Sequence, residues 1–190
     1  MERNKSFKIR RLCVTAVMIA LATVLSLIKV YPLPLGGSVT LLSMFPIVLL
    51  ALMYGTSWGL IGAFMYSVVQ LILGITVDGL IGMCPTAFVL IGSIFFDYII
   101  AFTVLGLAGL LREKGIVGCC LGVALALALR FVSHFVSGLI FFGIFTSANT
   151  WIHSLIYNGS YMLPEMIITV IATAIFLSSK AVRKLITDNN

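Results

Sequence analysis

This sequence predicts an all-α integral membrane protein of six transmembrane helices, with both termini on the cytoplasmic side. Three observations lead there. Of its 190 residues, 61% are hydrophobic and 9% charged, against about 25% charged in a typical soluble domain. The apolar runs are long enough for roughly six crossings of about 20 residues each. The basic residues gather in three places: Arg3, Lys5, Lys8, Arg10 and Arg11 at the start, Arg112 and Lys114 in the middle, and Lys180, Arg183 and Lys184 at the end. With six crossings all three clusters fall on one side, which the positive-inside rule makes cytoplasmic. The net charge of +6 therefore sets topology, and nucleic acid is not expected as a partner.

The elements follow in chain order as a single domain over residues 1–190. Helix one is expected over residues 10–30. Its basic start, apolar run and Ala20-Leu21-Ala22 imitate a signal peptide, but the run continues to Ile28, so a retained helix is expected. Ala16, Ala20 and Thr23 give it a face of small side chains, suited to close helix approach. Pro32, Pro34, Gly36 and Gly37 predict an outer loop. Helix two is expected over 38–54, kinked by Pro46. Helix three is expected over 58–75. The stretch TVDGLIGMC (76–84) reads as an outer loop with a solvated Asp78. Helix four is expected over 85–111, with Pro85 in its first turn. Helix five, 116–145, exceeds one crossing and must tilt, kink or project. TSANT (146–150) reads as an outer loop, and helix six is expected over 151–179.

Polar residues inside apolar helices mark the candidate site, because a charge in hydrocarbon is expensive and faces a cavity, partner or ligand. Asp97, followed by Tyr98, is the sole carboxylate in helix four. Arg130, His134 and Gly138 share one helix face by their spacing of four, and so do His153, Tyr157, Tyr161 and Glu165, with Asn158 beside them. Two such stripes read as two walls of a pocket. Arg130 is a candidate ion-pair partner for Asp97, and Asn158 offers donors and an acceptor to a heterocycle. Phe141, Phe142, Phe145, Trp151, Tyr157 and Tyr161 supply aromatic faces, and a cationic ring gains from such a face.

Catalytic signatures are absent from the sequence. It has no HExxH and no GxxxxGK[ST] phosphate loop, so ATP hydrolysis by that route is excluded. Cys13, Cys84, Cys119 and Cys120 lack metal-ligand spacing and read as packing residues. No cofactor is expected.

The stretches GGSVTLLSMFPIVLLALMYG (36–55), FDYIIAFTVLGLAGL (96–110), SHFVSGLIFFG (133–143) and HSLIYNGSYMLPE (153–165) resemble the substrate-binding S components of energy-coupling factor (ECF) vitamin transporters. The match is to the thiamine-specific branch. The resemblance implies six helices in a bacterial plasma membrane, an outward-facing thiamine pocket and no catalysis in this subunit. It also implies partners, namely a transmembrane coupling protein and two ATPases. By resemblance the pocket carboxylate falls on Asp97, its tyrosine on Tyr98, the histidine on His134 and the basic residue one turn earlier on Arg130. The stacking aromatic falls on Phe142 and the asparagine on Asn158, while Ala16 and Ala20 match a face that docks on the coupling protein. Asp97 then bonds the aminopyrimidine and offsets the thiazolium charge.

Three positions differ from the pattern of the family or of some of its members: His153 stands in place of a tyrosine, Ser93 in place of a glutamine, and Phe142 where some members carry tryptophan. The expected substrate-binding set is therefore Asp97, Tyr98, Arg130, His134, Phe142, His153, Tyr157 and Asn158. Other readings stay open on the residues: the same scaffold for riboflavin or a thiamine precursor, an intramembrane metal-dependent enzyme using Asp97, His134 and His153, or a proton-coupled carrier working through Asp97.

Overall fold

The computed structural model describes residues 2–145 and 149–187. Helix α1, Glu2–Leu27, stops short of the expected end. Beyond it Lys29–Pro32 (β1) pairs antiparallel with Ser38–Thr40 (β2). The segment expected as a plain loop is thus a small hairpin. β-Branched and aromatic residues before Pro32 suit a strand, and the prolines forbid helix. The turn places Leu35 at φ 67° and Gly36 at φ 91°.

Helix α2 is Phe45–Tyr54, with Pro46 in its first turn, not at a mid-helix kink. That position lacks an intrahelical N–H partner in any case, so proline is tolerated there. Gly55, at φ 85°, turns the chain into α3, Thr56–Thr76. The expected loop at 76–84 contains a short helix α4, Leu80–Met83. Pro85 then precedes the helix start, and Thr86 caps it by accepting from the Val89 N–H at 3.3 Å.

The next helical run changes pitch. It comprises α5 (Ala87–Ser93), a π-helical turn Ile94–Ile100, α6 (Ala101–Thr103) and a 3₁₀ segment Val104–Lys114. Gly115, at φ 72° and ψ −161°, reverses the chain into α7, Gly115–Phe145. The two arms run antiparallel, because residues at equal distances from Gly115 meet. A Cβ on Gly122 would strike the Ala108 carbonyl, Ser133 bonds Phe96, and Gly92 faces Ile140. The expected loop at 146–150 falls largely on residues 146–148, outside the described residues. Helix α8 is Thr150–Ser178 with Pro164 inside, and a further amphipathic helix α9, Lys180–Thr187, follows it.

Among the described residues four stretches are long and apolar enough to cross a membrane: Phe7–Leu27, Thr56–Thr76, Ala87–Gly143 and Thr150–Ser178. The third contains both arms of the Gly115 hairpin. Helix α2 is apolar and buried along most of its length but has only 10 residues.

The core is concentrated toward the Gly115 end. Ile47, Val48, Ala51 and Leu52 of α2 pack with Leu105, Ala108, Cys119, Val123 and Leu127, and with Leu177 and Ile186 of α8 and α9. Basic side chains mark the same end. The Arg11 guanidinium lies 3.9 Å over the Trp58 ring, a cation–π contact. Arg112 reaches the Leu52 and Met53 carbonyls at 3.5 Å, at the C-terminal turn of α2, where carbonyls lack helical partners. The opposite half, under the hairpin, stays open.

Backbones meet closely in the packed half. A methyl on Gly106 would run into the backbone of Gly59 and Leu60. Gly106→Ala is therefore expected to cost about 1–3 kcal/mol by overpacking, read as a lower thermal midpoint in detergent. An unchanged midpoint would show that these helices can separate freely.

Candidate functional site

The open half holds a cavity of about 170 Å³. Its lining brings together both predicted stripes and the π turn. Asp97, Tyr98, Arg130, His134, Phe142, Tyr157 and Asn158 all line it.

Asp97 sits on the π-helical turn, a departure from α geometry that recurs at functional sites. Its Oδ1 lies 2.9 Å from His134 Nδ1, and its Oδ2 accepts the Ser137 hydroxyl at 2.5 Å. A carboxylate has about four acceptor sites, so each oxygen keeps capacity for a ligand donor. His134 Nε2 is buried without a hydrogen-bond partner among the described residues.

Arg130 does not pair with Asp97. Its guanidinium lies 3.9 Å over the Phe102 ring, and its Nε and Nη1 are buried without hydrogen-bond partners among the described residues. Next to it on α8, Glu165 takes the Thr40 backbone N–H and, at 2.7 Å, the Thr40 hydroxyl. That carboxylate thereby ties strand β2 to α8.

Asn158 is engaged within the protein. Its amide nitrogen donates to Ser154 O at 2.9 Å and Ser154 Oγ at 3.1 Å, and its oxygen accepts from Tyr161 at 2.8 Å. Gly138 makes this possible, since a Cβ there would lie 2.9 Å from Asn158 Nδ2. Tyr157 closes the roof: its hydroxyl accepts from Gly37 N at 3.0 Å and donates to Pro34 O. Phe142 is 4% exposed, with the Tyr157 ring 5.4 Å away and the His153 ring 4.5 Å away. His153 itself is exposed and lies outside the cavity lining, one ring further out.

The family and its relatives can be set beside this geometry. The thiamine transporter protein family (Thia_YuaJ) matches residues 12–185. The chain belongs to this family. It is 31% identical over 184 residues to the thiamine transporter ThiT of Bacillus subtilis (strain 168), a match covering 88% of this chain and 90% of that protein. Its fold is similar to a solved structure of ThiT from Listeria monocytogenes, with TM-score 0.73, 18% identity and coverage of 94% and 98% of the two chains. A thiamine transporter family member with long apolar helices is a multi-pass membrane transport protein, not an enzyme.

Several lining residues escaped the sequence reading. Asp78, expected to be solvated, is bonded to Lys29 at 2.5 Å at the cavity rim. Ser137 carries no signal beyond its place one turn from Ser133 on α7. Gln70 is the one amide side chain in the span of α3, a signal of the same kind as Asn158. It bonds Ser26 at 2.9 Å and Tyr66 at 2.7 Å and lines the cavity too. Tyr161 and Glu165, read as structural, line it as well as bracing α8. Ala16 and Ala20 are exposed on α1, away from the cavity.

The Lys29–Asp78 side chains are 31% and 27% exposed, so water and salt screen their attraction. A double-mutant cycle of Lys29→Met and Asp78→Asn is expected to give a coupling of about 0.2–1 kcal/mol in thermal stability, shrinking at high salt. A coupling of several kcal/mol would contradict this.

Proposed function

We propose that this chain is the substrate-binding S component of an ECF-type importer, capturing thiamine from outside a bacterial cell. It would cross the plasma membrane six times with its termini in the cytoplasm. A coupling protein would dock on the α1 face carrying Ala16 and Ala20, and two partner ATPases would power uptake. Family membership and the ThiT relative support the substrate.

One observation carries the ligand reading: a carboxylate fixed on both oxygens inside an aromatic-walled cavity. Among the described lining residues Asp78, Asp97 and Glu165 face Lys29 and Arg130. Counted at formal charges, with histidine neutral, these described lining residues carry one negative charge in excess. A monocationic ligand such as thiamine restores neutrality there. In this reading Asp97 accepts from the aminopyrimidine amine and Phe142 lies against a ring, with Tyr98, Tyr157 and Asn158 around it. Arg130 and His134 would offer their unpartnered nitrogens, and His153 would act from behind Phe142.

The test is a thiamine titration of the purified protein in detergent, followed by heat or tryptophan fluorescence. Asp97→Asn is expected to weaken binding by about tenfold or more, roughly 1.4 kcal/mol. Binding of riboflavin or a thiamine precursor in preference to thiamine would keep the scaffold and discard the specificity. Proteoliposomes holding this chain alone should show no uptake until the coupling protein, the ATPases and ATP are added. Uptake by the chain alone under a proton gradient would instead favour a self-sufficient carrier.

A further inference from the structure

Ser133 does not touch the cavity, yet it sits at its most exacting joint. It is 5% exposed on α7, and its hydroxyl donates at 2.5 Å to the carbonyl of Phe96. That carbonyl belongs to the peptide plane shared by Phe96 and Asp97, so holding it fixes the direction in which the Asp97 side chain leaves the backbone. The same face of α7 presents Ser137, one turn on, to Asp97 Oδ2, and His134 presents Nδ1 to Oδ1. Three consecutive attachments thus run from one helix to the Phe96–Asp97 unit, two to the carboxylate and one to its backbone.

The segment being held has reason to need it. Ile94–Ile100 is π-helical, and it passes straight into α6, where the Ala101 N–H bonds Tyr98 O in a tighter turn. Such a change of pitch within a few residues has an α-helical alternative that would rotate Asp97 away from its present bearing. A second seat acts from the other side: Gly74 of α3 has no Cβ, and the Tyr98 hydroxyl occupies that space. The turn is thus braced between Ser133 on α7 and Gly74 on α3.

We infer that Ser133 is a positioning residue for ligand recognition, acting through the Phe96–Asp97 peptide to hold the π turn and aim the Asp97 carboxylate. This rests on the reading of Asp97 as the group that bonds the pyrimidine amine. The readout is selectivity and not affinity alone. Oxythiamine replaces that amine by oxygen, so the thiamine-over-oxythiamine ratio reports how well the carboxylate meets the amine, whereas a general loss of packing weakens both ligands together.

The experiment measures that ratio by calorimetric titration for the unsubstituted protein, Asp97→Asn, Ser133→Ala and Ser133→Thr. Ser133→Ala is expected to narrow the ratio by about tenfold, the scale of one lost buried hydrogen bond, and Ser133→Thr, which keeps a hydroxyl, to retain it. Ser133→Cys, close in volume but a weaker donor, makes the same comparison if the alanine variant does not fold. If Asp97→Asn narrows the ratio while the Ser133 variants weaken both ligands equally or not at all, the inference is overturned and the reading of Asp97 survives. If Asp97→Asn leaves the ratio intact, the reading of Asp97 falls and the inference falls with it.

Discussion

A carboxylate inside an apolar bundle has to be matched by donors that cannot drift away, and Asp97 imposes that demand on its neighbours. Its two oxygens are met by His134 and Ser137 of α7. Those donors hold their bearing only because α7 lies antiparallel to the helical run that carries Asp97, register against register. That register is set far off, where Gly115 reverses the chain and Gly118 and Gly122 let the backbones touch. The packed, cation-marked half is therefore the fixture on which the open half is mounted.

The open half is closed by side chains of α8. Tyr157 and Glu165 stand two turns apart on one face and hold the turn and the second strand of the hairpin, with Tyr161 packed beneath Gly37. One helix face thus serves as both cavity wall and roof support. This explains why tyrosines and a glutamate appear at a spacing of four in sequence that must otherwise satisfy lipid. On the other rim the Lys29–Asp78 pair, which water reaches, ties the first strand to the segment before α4.

Much of this was legible in the sequence, and the legible part has one physical source. Hydrocarbon penalises polar groups so strongly that Asp97, Arg130, His134 and Asn158 announce themselves by type alone, and helical spacing sorts them into walls. Partners are a different matter. Nothing local says that Arg130 lies over Phe102 while His134 takes the carboxylate, since both nitrogen donors stand on the same stripe and only three-dimensional reach separates them. The π turn is equally silent: IFFDYII has no residue that breaks an α-helix, and the residues that contact the turn, Ser133 and Gly74, lie on other helices. The hairpin reads as a loop because its strands are very short, and α9, with three basic residues in eight, is too brief to stand out as a span. Asp78 looked solvated because its partner Lys29 lies 49 residues away.

The Gly115 reversal also limits how this stretch of chain can diversify. Asp97 and His134 meet because each lies nearly the same number of residues from the bend. One residue inserted into either arm would turn everything beyond it by about 100° in α-helical pitch or about 120° in 3₁₀ pitch, and the acid and its donors would face different ways. Length can change here only in compensated pairs on the two arms, or at the bend itself. Over this segment, descendants of the sequence are free to exchange side chains but not to slide one arm past the other.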